Sequence, residues 1–175
     1  MTTKQEDILQ AALTLFATES YHATSTSRVA RAAGVSEGLI FRHFTNKEGL
    51  LTAVLEMGEQ RFNQLYATLL FETEPAKVIR QYIELPFSVP ESDYTFWRLQ
   101  FTLKWEVNYD SSAKAAPVKQ ALINAFAQLA YPQPELEALL LMHSMDGISS
   151  DFVQHTPTPT AQKAIKEFLL DKYKV

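Results

Sequence analysis

Between residues 22 and 47 four cationic side chains, Arg28, Arg31, Arg42 and Lys47, stand against one acid, Glu37, a surplus of +3. Residues 1–21 sum to −2 and residues 48–175 to −5, so the net charge of −4 conceals a local reversal of sign. Guanidinium and ammonium groups gathered on one segment of an acidic body can bring that face to phosphates while the rest stays soluble. A surplus of three is also common on solvated faces, so charge alone decides nothing. Other chemistry is scarce. There is no cysteine, which removes disulfides and thiolate metal sites. His22, His43, His143 and His155 show no metal-ligand spacing, so neither metal nor cofactor is expected. His143 and Asp146 lie one helical turn apart, the spacing of a dyad, but no nucleophile, paired carboxylates or glycine-rich phosphate loop accompanies them. No catalytic residue is expected, and the chain does not read as an enzyme.

The elements that must carry these groups read as helices throughout. Thr3-Lys4-Gln5-Glu6 has the form of a capping box, and Ile8, Leu9, Ala12, Leu13 and Phe16 recur on one helical face behind it. A second helix is expected over about 25–33, with Gly34 as its stop and Ser36 capping a short third helix through Phe44. Thr45-Asn46-Lys47-Glu48 reads as another capping box. It opens a long helix with Leu50, Leu51, Val54, Leu55 and Phe62 on its buried side. Prolines at 75, 86, 90, 117, 132, 134, 157 and 159 then punctuate segments of helical length: 76–85, 92–109, 113–130, 135–155 and 160–173. Phe101, Leu103, Trp105 and Val107 alternate as in a strand, yet Trp97, Phe101 and Trp105 also fall at i, i+4, i+8. With no second strand to pair, a lone strand leaves its backbone polar groups unsatisfied, so a helix buried on most sides is expected. The polar, mixed-charge N-terminus is unlike a signal peptide, and the longest apolar run, Ala138 to Met142, is too short to span a membrane. A soluble cytoplasmic protein without a membrane partner is expected.

A helix, the Gly34-Val35-Ser36 turn and a second short helix make a helix-turn-helix pattern, in which the second helix fits the major groove. Periodicity alone fits an ordinary helical hairpin equally well. The residues are more specific. Ala30-x-x-Ala33-Gly34-Val35-Ser36-x-Gly38-x-Ile40-Phe41-x-His43-Phe44-x-x-Lys47-Glu48-x-Leu50 resembles, in one gap-free register, the DNA-binding signature of TetR-family regulators. Ile8, Ala11, Ala12, Leu15 and Phe16, then Tyr21, Ala23, Thr24 and Ser25, extend the resemblance over roughly residues 5–55. It implies an all-α fold: a three-helix DNA-binding domain over 1–47, joined by a long helix to a helical effector-binding and dimerisation domain over 48–175. The implied partner is double-stranded DNA.

Carried over by position, the resemblance assigns Ser25, Thr26 and Ser27 to phosphate contacts at the opening of the second helix. Ser36, Glu37, Gly38, Leu39, Phe41 and Arg42 fall at or on the reading helix, with His43 and Lys47 at the backbone. Arg42 suits a guanine edge, and hydroxyls, helix-start amides and Lys47 suit phosphate oxygens. Ile40 and Phe44 should face inward. Phe41 replaces the family's usual Tyr and so lacks its hydroxyl. Ser20 replaces the usual Gly, so the first turn is expected to use another stopping geometry. Glu37 either accepts from a cytosine amine, points away, or is tolerated at the positive helix end.

Aromatic residues crowd residues 60–155. Rings in a helical bundle either fill a core or line an apolar cavity with a few polar groups. Phe62, Tyr66, Tyr82, Trp97, Phe101, Trp105, His143 and Asp146 are the candidate effector contacts, for a small apolar or aromatic molecule. The last two helices resemble the family's dimerisation pair. Leu136, Leu139, Leu140, His143 and Gly147 form one stripe, and Ile165, Phe168 and Leu169 another, so a homodimer through residues 135–173 is expected. The leading reading is a ligand-responsive repressor on a pseudo-palindromic operator. The alternative is a lipid- or small-molecule carrier on the same fold without DNA binding, which would have no need of Arg42 or Lys47.

Overall fold

The computed structural model describes residues 3–106 and 112–175, and for 59–62, 104–106 and 112–114 only the helical backbone. Among these residues every regular element is helical: α1 (Thr3–Glu19), α2 (Thr26–Ala32), α3 (Glu37–Phe44), α4 (Lys47–Phe71), α5 (Pro75–Ser88), a 3-10 turn (Glu91–Asp93), α6 (Tyr94–Glu106), α7 (Ser112–Gln128), α8 (Pro134–His155) and α9 (Pro159–Tyr173). They group into two packing units, Met1–Phe62 with Ser92–Tyr109, and Asn63–Glu91 with Asp110–Val175.

The first unit is built on α1. Its Ile8, Leu9, Ala12, Leu13 and Phe16 are buried with Val29 and Ala30 of α2, Ile40 and Phe44 of α3, and Leu50 and Val54 of α4. The unit also takes in α6, which lies far along the chain. Phe96, Leu99 and Leu103, at i, i+3, i+7, join the same core, and α6 packs on α1. The strand-like alternation from Phe101 to Trp105 therefore belongs to a helix, and Val107 lies outside the described residues. No residue from Tyr94 to Leu103 is fully exposed, so side chains of both polarities face protein. The i, i+4, i+8 stripe needs correcting. Trp97 and Phe101 are only half-buried, whereas the next register is fully so. Gly58 explains part of this, because a methyl group there would overlap the Phe96 ring.

Turn chemistry fixes the connections. Ser20 does not need a different stop: it takes the left-handed conformation itself, with φ 81°. Its Oγ accepts from Ala23 N at 3.3 Å, and its carbonyl accepts from the buried Thr24 hydroxyl at 2.8 Å. Gly34, at φ 65°, ends α2 as expected. Its N–H donates to the Arg31 carbonyl and that of Val35 to the Ala30 carbonyl, the paired bonds of a Schellman stop. Pro75, Pro134 and Pro159 open α5, α8 and α9, where a missing N–H costs nothing. Pro86, by contrast, does not end its helix, and α5 continues to Ser88.

The second unit buries Leu69 of α4, Val78, Ile79, Tyr82 and Ile83 of α5, Leu122 and Phe126 of α7, Ala138, Leu141 and Met145 of α8, and Leu169 and Tyr173 of α9. Phe126 is its keystone, edge-on to Tyr131 at 4.9 Å and tilted against Tyr173 at 5.6 Å, and the Tyr131 hydroxyl donates to the Tyr173 carbonyl. Glu72 ties the α4–α5 turn. Its Oε1 accepts from Thr73 N at 2.8 Å and Glu74 N at 2.9 Å, and its Oε2 from Gln81 Nε2 at 3.3 Å. The Glu74 and Thr73 amides hold the carboxyl below its ordinary value of 4.5. A depressed carboxyl stabilises the fold above its unfolded pKa and loses that effect as pH falls through the folded one. Glu72→Gln should therefore melt below the unaltered protein at pH 7. The difference should close as the pH falls below 4.5, and a gap independent of pH would remove the ionised carboxylate from the account.

Candidate nucleic-acid interface

The reading helix α3 has eight residues and is oriented by what it buries. Ile40 and Phe44 point into the core, as their spacing predicts, and Leu39 is half-buried beside them. That rotation leaves Glu37, Gly38, Phe41, Arg42 and His43 exposed together. Phe41 keeps 45% of its surface open to solvent, unusual for a ring inside a folded unit. Gly38 has nothing within 4 Å of where a side chain would begin, so the fold itself makes no demand for glycine there.

Its two ends are set differently. Ser36 sits at the N-cap, but its hydroxyl makes no capping bond; the first backbone bond runs from Leu39 N to the Ser36 carbonyl at 3.0 Å. The expectation of a side-chain cap is thus corrected, because the turn already holds the chain by its backbone. At the other end Thr45 takes φ 68°, ψ −51°, and Asn46 N donates to the Phe44 carbonyl at 2.7 Å. This is a γ-turn on a β-branched residue, a strained geometry that persists only when neighbours hold it. Two neighbours do. Asn46, not Thr45, caps α4, its Oδ1 accepting from Gly49 N at 2.7 Å. Any methyl group on Gly49 would collide with the Phe44 carbonyl.

The polar residues are partly committed already. Ser25 caps α2 by accepting from Arg28 N at 3.2 Å, and its Oγ lies 3.0 Å from that of Ser27. The Thr26 hydroxyl donates to Glu37 Oε1 at 2.6 Å, joining α2 to α3. Arg28 pairs with Glu19 at 2.7 Å, which reduces the free basic surplus. Lys47 is half-buried, its Nζ 4.3 Å from the centre of the Tyr21 ring and 3.4 Å from the His22 carbonyl. It clamps the start of α4 to the α1–α2 turn, a contact worth roughly 0.5–1 kcal/mol at a partly open site. Burial, with Glu48 adding to it, raises the Tyr21 phenol above its ordinary range. Arg31, Arg42 and His43 project into solvent.

Comparison with known proteins places this geometry. The sequence profile of bacterial regulatory proteins of the tetR family matches residues 8–54, the stretch that runs from α1 through the start of α4. Residues 8–54 thus match the TetR-family DNA-binding domain. An uncharacterised helix-turn-helix transcriptional regulator of Bacillus subtilis, YvkB, is 42% identical to this chain over 71 residues, which are 36% of the chain and 38% of that protein. The match thus spans well under half the length of that relative. Solved structures resemble the whole chain in fold. A TetR-like transcriptional regulator from Rhodococcus sp. RHA1 superposes with a TM-score of 0.78 over 99% of this chain and 94% of that one, at 17% identity. The regulator AibR, solved in complex with isovaleryl coenzyme A and operator DNA, gives 0.71 over 97% of each, at 17% identity.

The candidate effector residues of the chain divide between its two units. Trp97 and Phe101 lie in the first, Trp97 edge-on to Phe96 at 5.3 Å. Tyr66, Tyr82, His143 and Asp146 lie in the second, where the Tyr66 and Tyr82 rings are 6.4 Å apart. The side chains of Phe62 and Trp105 lie outside the described residues. Burial, reinforced by the Asp146 charge, pushes the Tyr66 phenol up to about 12; burial first, then Tyr66 and Asp146, raises Tyr82 further. Both therefore stay protonated near neutrality and offer an O–H rather than a base. Among the described residues no group of histidines and acids is set to hold a metal. Gly49 and Gly58 help position the helices without having been named from the sequence, and Asn46, named only as part of a capping box, proves to be the cap itself. The Asn46-x-x-Gly49 spacing of a cap and its amide was the available signal. Gly49→Ala should cost more than about 1 kcal/mol in stability, since a methyl meets backbone there. Gly38→Ala should instead leave the melting point unchanged or raise it, by up to about 1 kcal/mol of helix propensity. The reverse order in thermal melts would mean the two glycines are misassigned.

Proposed function

We propose that this chain is a transcriptional regulator that binds a pseudo-palindromic duplex as a homodimer and answers to a small effector. The observation that carries the reading is the outward face of α3. Glu37, Gly38, Phe41, Arg42 and His43 are exposed side by side, Gly38 serves no internal need, and the helix is anchored from behind by the buried Ile40 and Phe44. A helix held from behind with an open front can enter a major groove. Residues 1–47 supply that reader in this proposal, and 48–175 the effector-binding and dimerising part. A carrier without DNA binding gives no reason for Arg42 to stand exposed beside a bare glycine.

Two recognition helices are needed because one short helix contacts too few base pairs for useful specificity. Leu136, at 58% exposure, Leu139 and Leu140 on α8, and Phe168, at 69%, on α9 leave large apolar surface uncovered, which fits an interface with a second copy. Gly147 on α8 has open space around it and permits close backbone approach. For the effector, Tyr66 and Tyr82 offer adjacent rings and neutral hydroxyls, suited to a small apolar or aromatic molecule. Its binding would act by favouring a conformation of the dimer that no longer fits the operator, which makes the regulator a repressor released by its ligand.

Sedimentation at micromolar concentration should give twice the 19.8 kDa chain mass, and Leu140→Glu should shift it towards monomer. A monomeric unaltered chain would overturn the dimer. Selection of bound fragments from random duplex DNA should return a two-fold motif. Arg42→Ala should then cost about 1–3 kcal/mol per half-site and relax one base pair. Gly38→Ala should weaken binding despite unimpaired folding. Equal losses on selected and random DNA would reduce Arg42 to a backbone contact.

A further inference from the structure

Glu37 is the one acid in the basic stretch from residue 22 to 47, and it is held rather than free. Its Oε1 accepts the Thr26 hydroxyl at 2.6 Å across the turn between α2 and α3, eleven residues apart. An O–H to carboxylate bond of that length is at the strong, charge-assisted end of its class. It removes the rotamer freedom of a long side chain before any partner arrives. It also settles where the Thr26 proton is. With that proton given to Glu37, Thr26 turns only lone pairs outward and has no hydrogen for a phosphate oxygen. The expectation that Thr26 donates to the DNA backbone is therefore reversed by its neighbour. Both groups, the half-buried Thr26 oxygen and the exposed Glu37 carboxylate, are acceptors.

That restricts what can face them. Phosphate oxygens are acceptors and charged. Guanine presents N7 and O6, and thymine O4, all acceptors, on the major-groove edge. Donors there are the adenine and cytosine amines. Adenine sets its amine beside its own N7, which opposes the second carboxylate oxygen, whereas cytosine carries no second acceptor on its own major-groove edge. Glu37 stands at the first position of α3, and residues at the start of a reading helix are the ones that reach base edges. We propose that the Thr26–Glu37 pair selects a cytosine amine in each half-site, with Glu37 as the contact and Thr26 as the residue that positions it. This rests on the reading of α3 as a DNA-reading helix.

The test is selection from a random duplex pool by the full chain and by Glu37→Ala, Glu37→Gln and Thr26→Val, each checked for an intact melt. The unaltered chain should fix cytosine at one position per half-site and bind duplexes altered there about 5- to 150-fold more weakly. Glu37→Ala should lose that preference and bind other sequences more tightly, as a charge facing phosphates is gone. Glu37→Gln should move the preference to adenine, whose N6 and N7 match an amide. Thr26→Val keeps the carboxylate but frees it, so the cytosine preference should weaken while binding to random duplex changes little. An unchanged motif for Glu37→Ala, with uniformly tighter binding, would reduce Glu37 to a repulsive charge and overturn the proposal. An unchanged preference for Thr26→Val would overturn the positioning role. Failure of the unaltered chain to bind any duplex at low salt is a different result, and it would overturn the DNA reading itself.

Discussion

A helix of eight residues closes too few hydrogen bonds to stand on its own in water, and α3 exists because Ile40 and Phe44 are buried. Everything presented to solvent by that helix is fixed in rotation by those two side chains. Its far end is fixed by the strained Thr45 turn, which Asn46 and Gly49 hold from the next helix. The arrangement places strain at the junction and leaves the outward face, apart from the Glu37 tie to Thr26, free of internal duties. Functional faces commonly show this division, with rigidity supplied from behind and bought by neighbours that never touch the partner.

The polar chemistry of the interface is less open than its composition suggests. Of the four cations that define the basic segment, Arg28 is paired with Glu19 and Lys47 lies over Tyr21. Ser25 and Thr26 also have intramolecular partners. Two cations, Arg31 and Arg42, project into solvent. Few free charges give a weak attraction to phosphate with a shallow dependence on salt, so base-edge contacts would have to carry more of the affinity and discrimination.

Much of this was legible in the residues. The α1 stripe, the Gly34 stop, the inward pair Ile40 and Phe44, and the exposed leucines of α8 follow from spacing, because each depends on local periodicity. The failures share a different cause. Whether Trp97 or Phe96 faces the core depends on α1, some 80 residues earlier in the chain and so invisible to a local window. Ser36 and Thr45 were chosen as caps by residue type, whereas the backbone path made Asn46 the cap and left the Ser36 hydroxyl unused. Ser20 shows the same limit: a non-glycine takes the left-handed turn because its hydroxyl and carbonyl are both satisfied there. The effector residues are the least legible, since aromatic crowding fits core and cavity alike.

The inclusion of α6 in the core of α1–α4 makes the first unit discontinuous in sequence. During synthesis the ribosome releases α1 to α3 long before Phe96, Leu99 and Leu103 emerge. Until then Ile8, Leu9, Leu13 and Phe16 have only part of their final cover. The nascent segment must therefore wait, or be shielded, while some thirty intervening residues are made, and closing so long a loop favours slow completion. A reader that finishes folding only when α6 arrives is also one that cannot be cut out at residue 62 and moved to another protein intact.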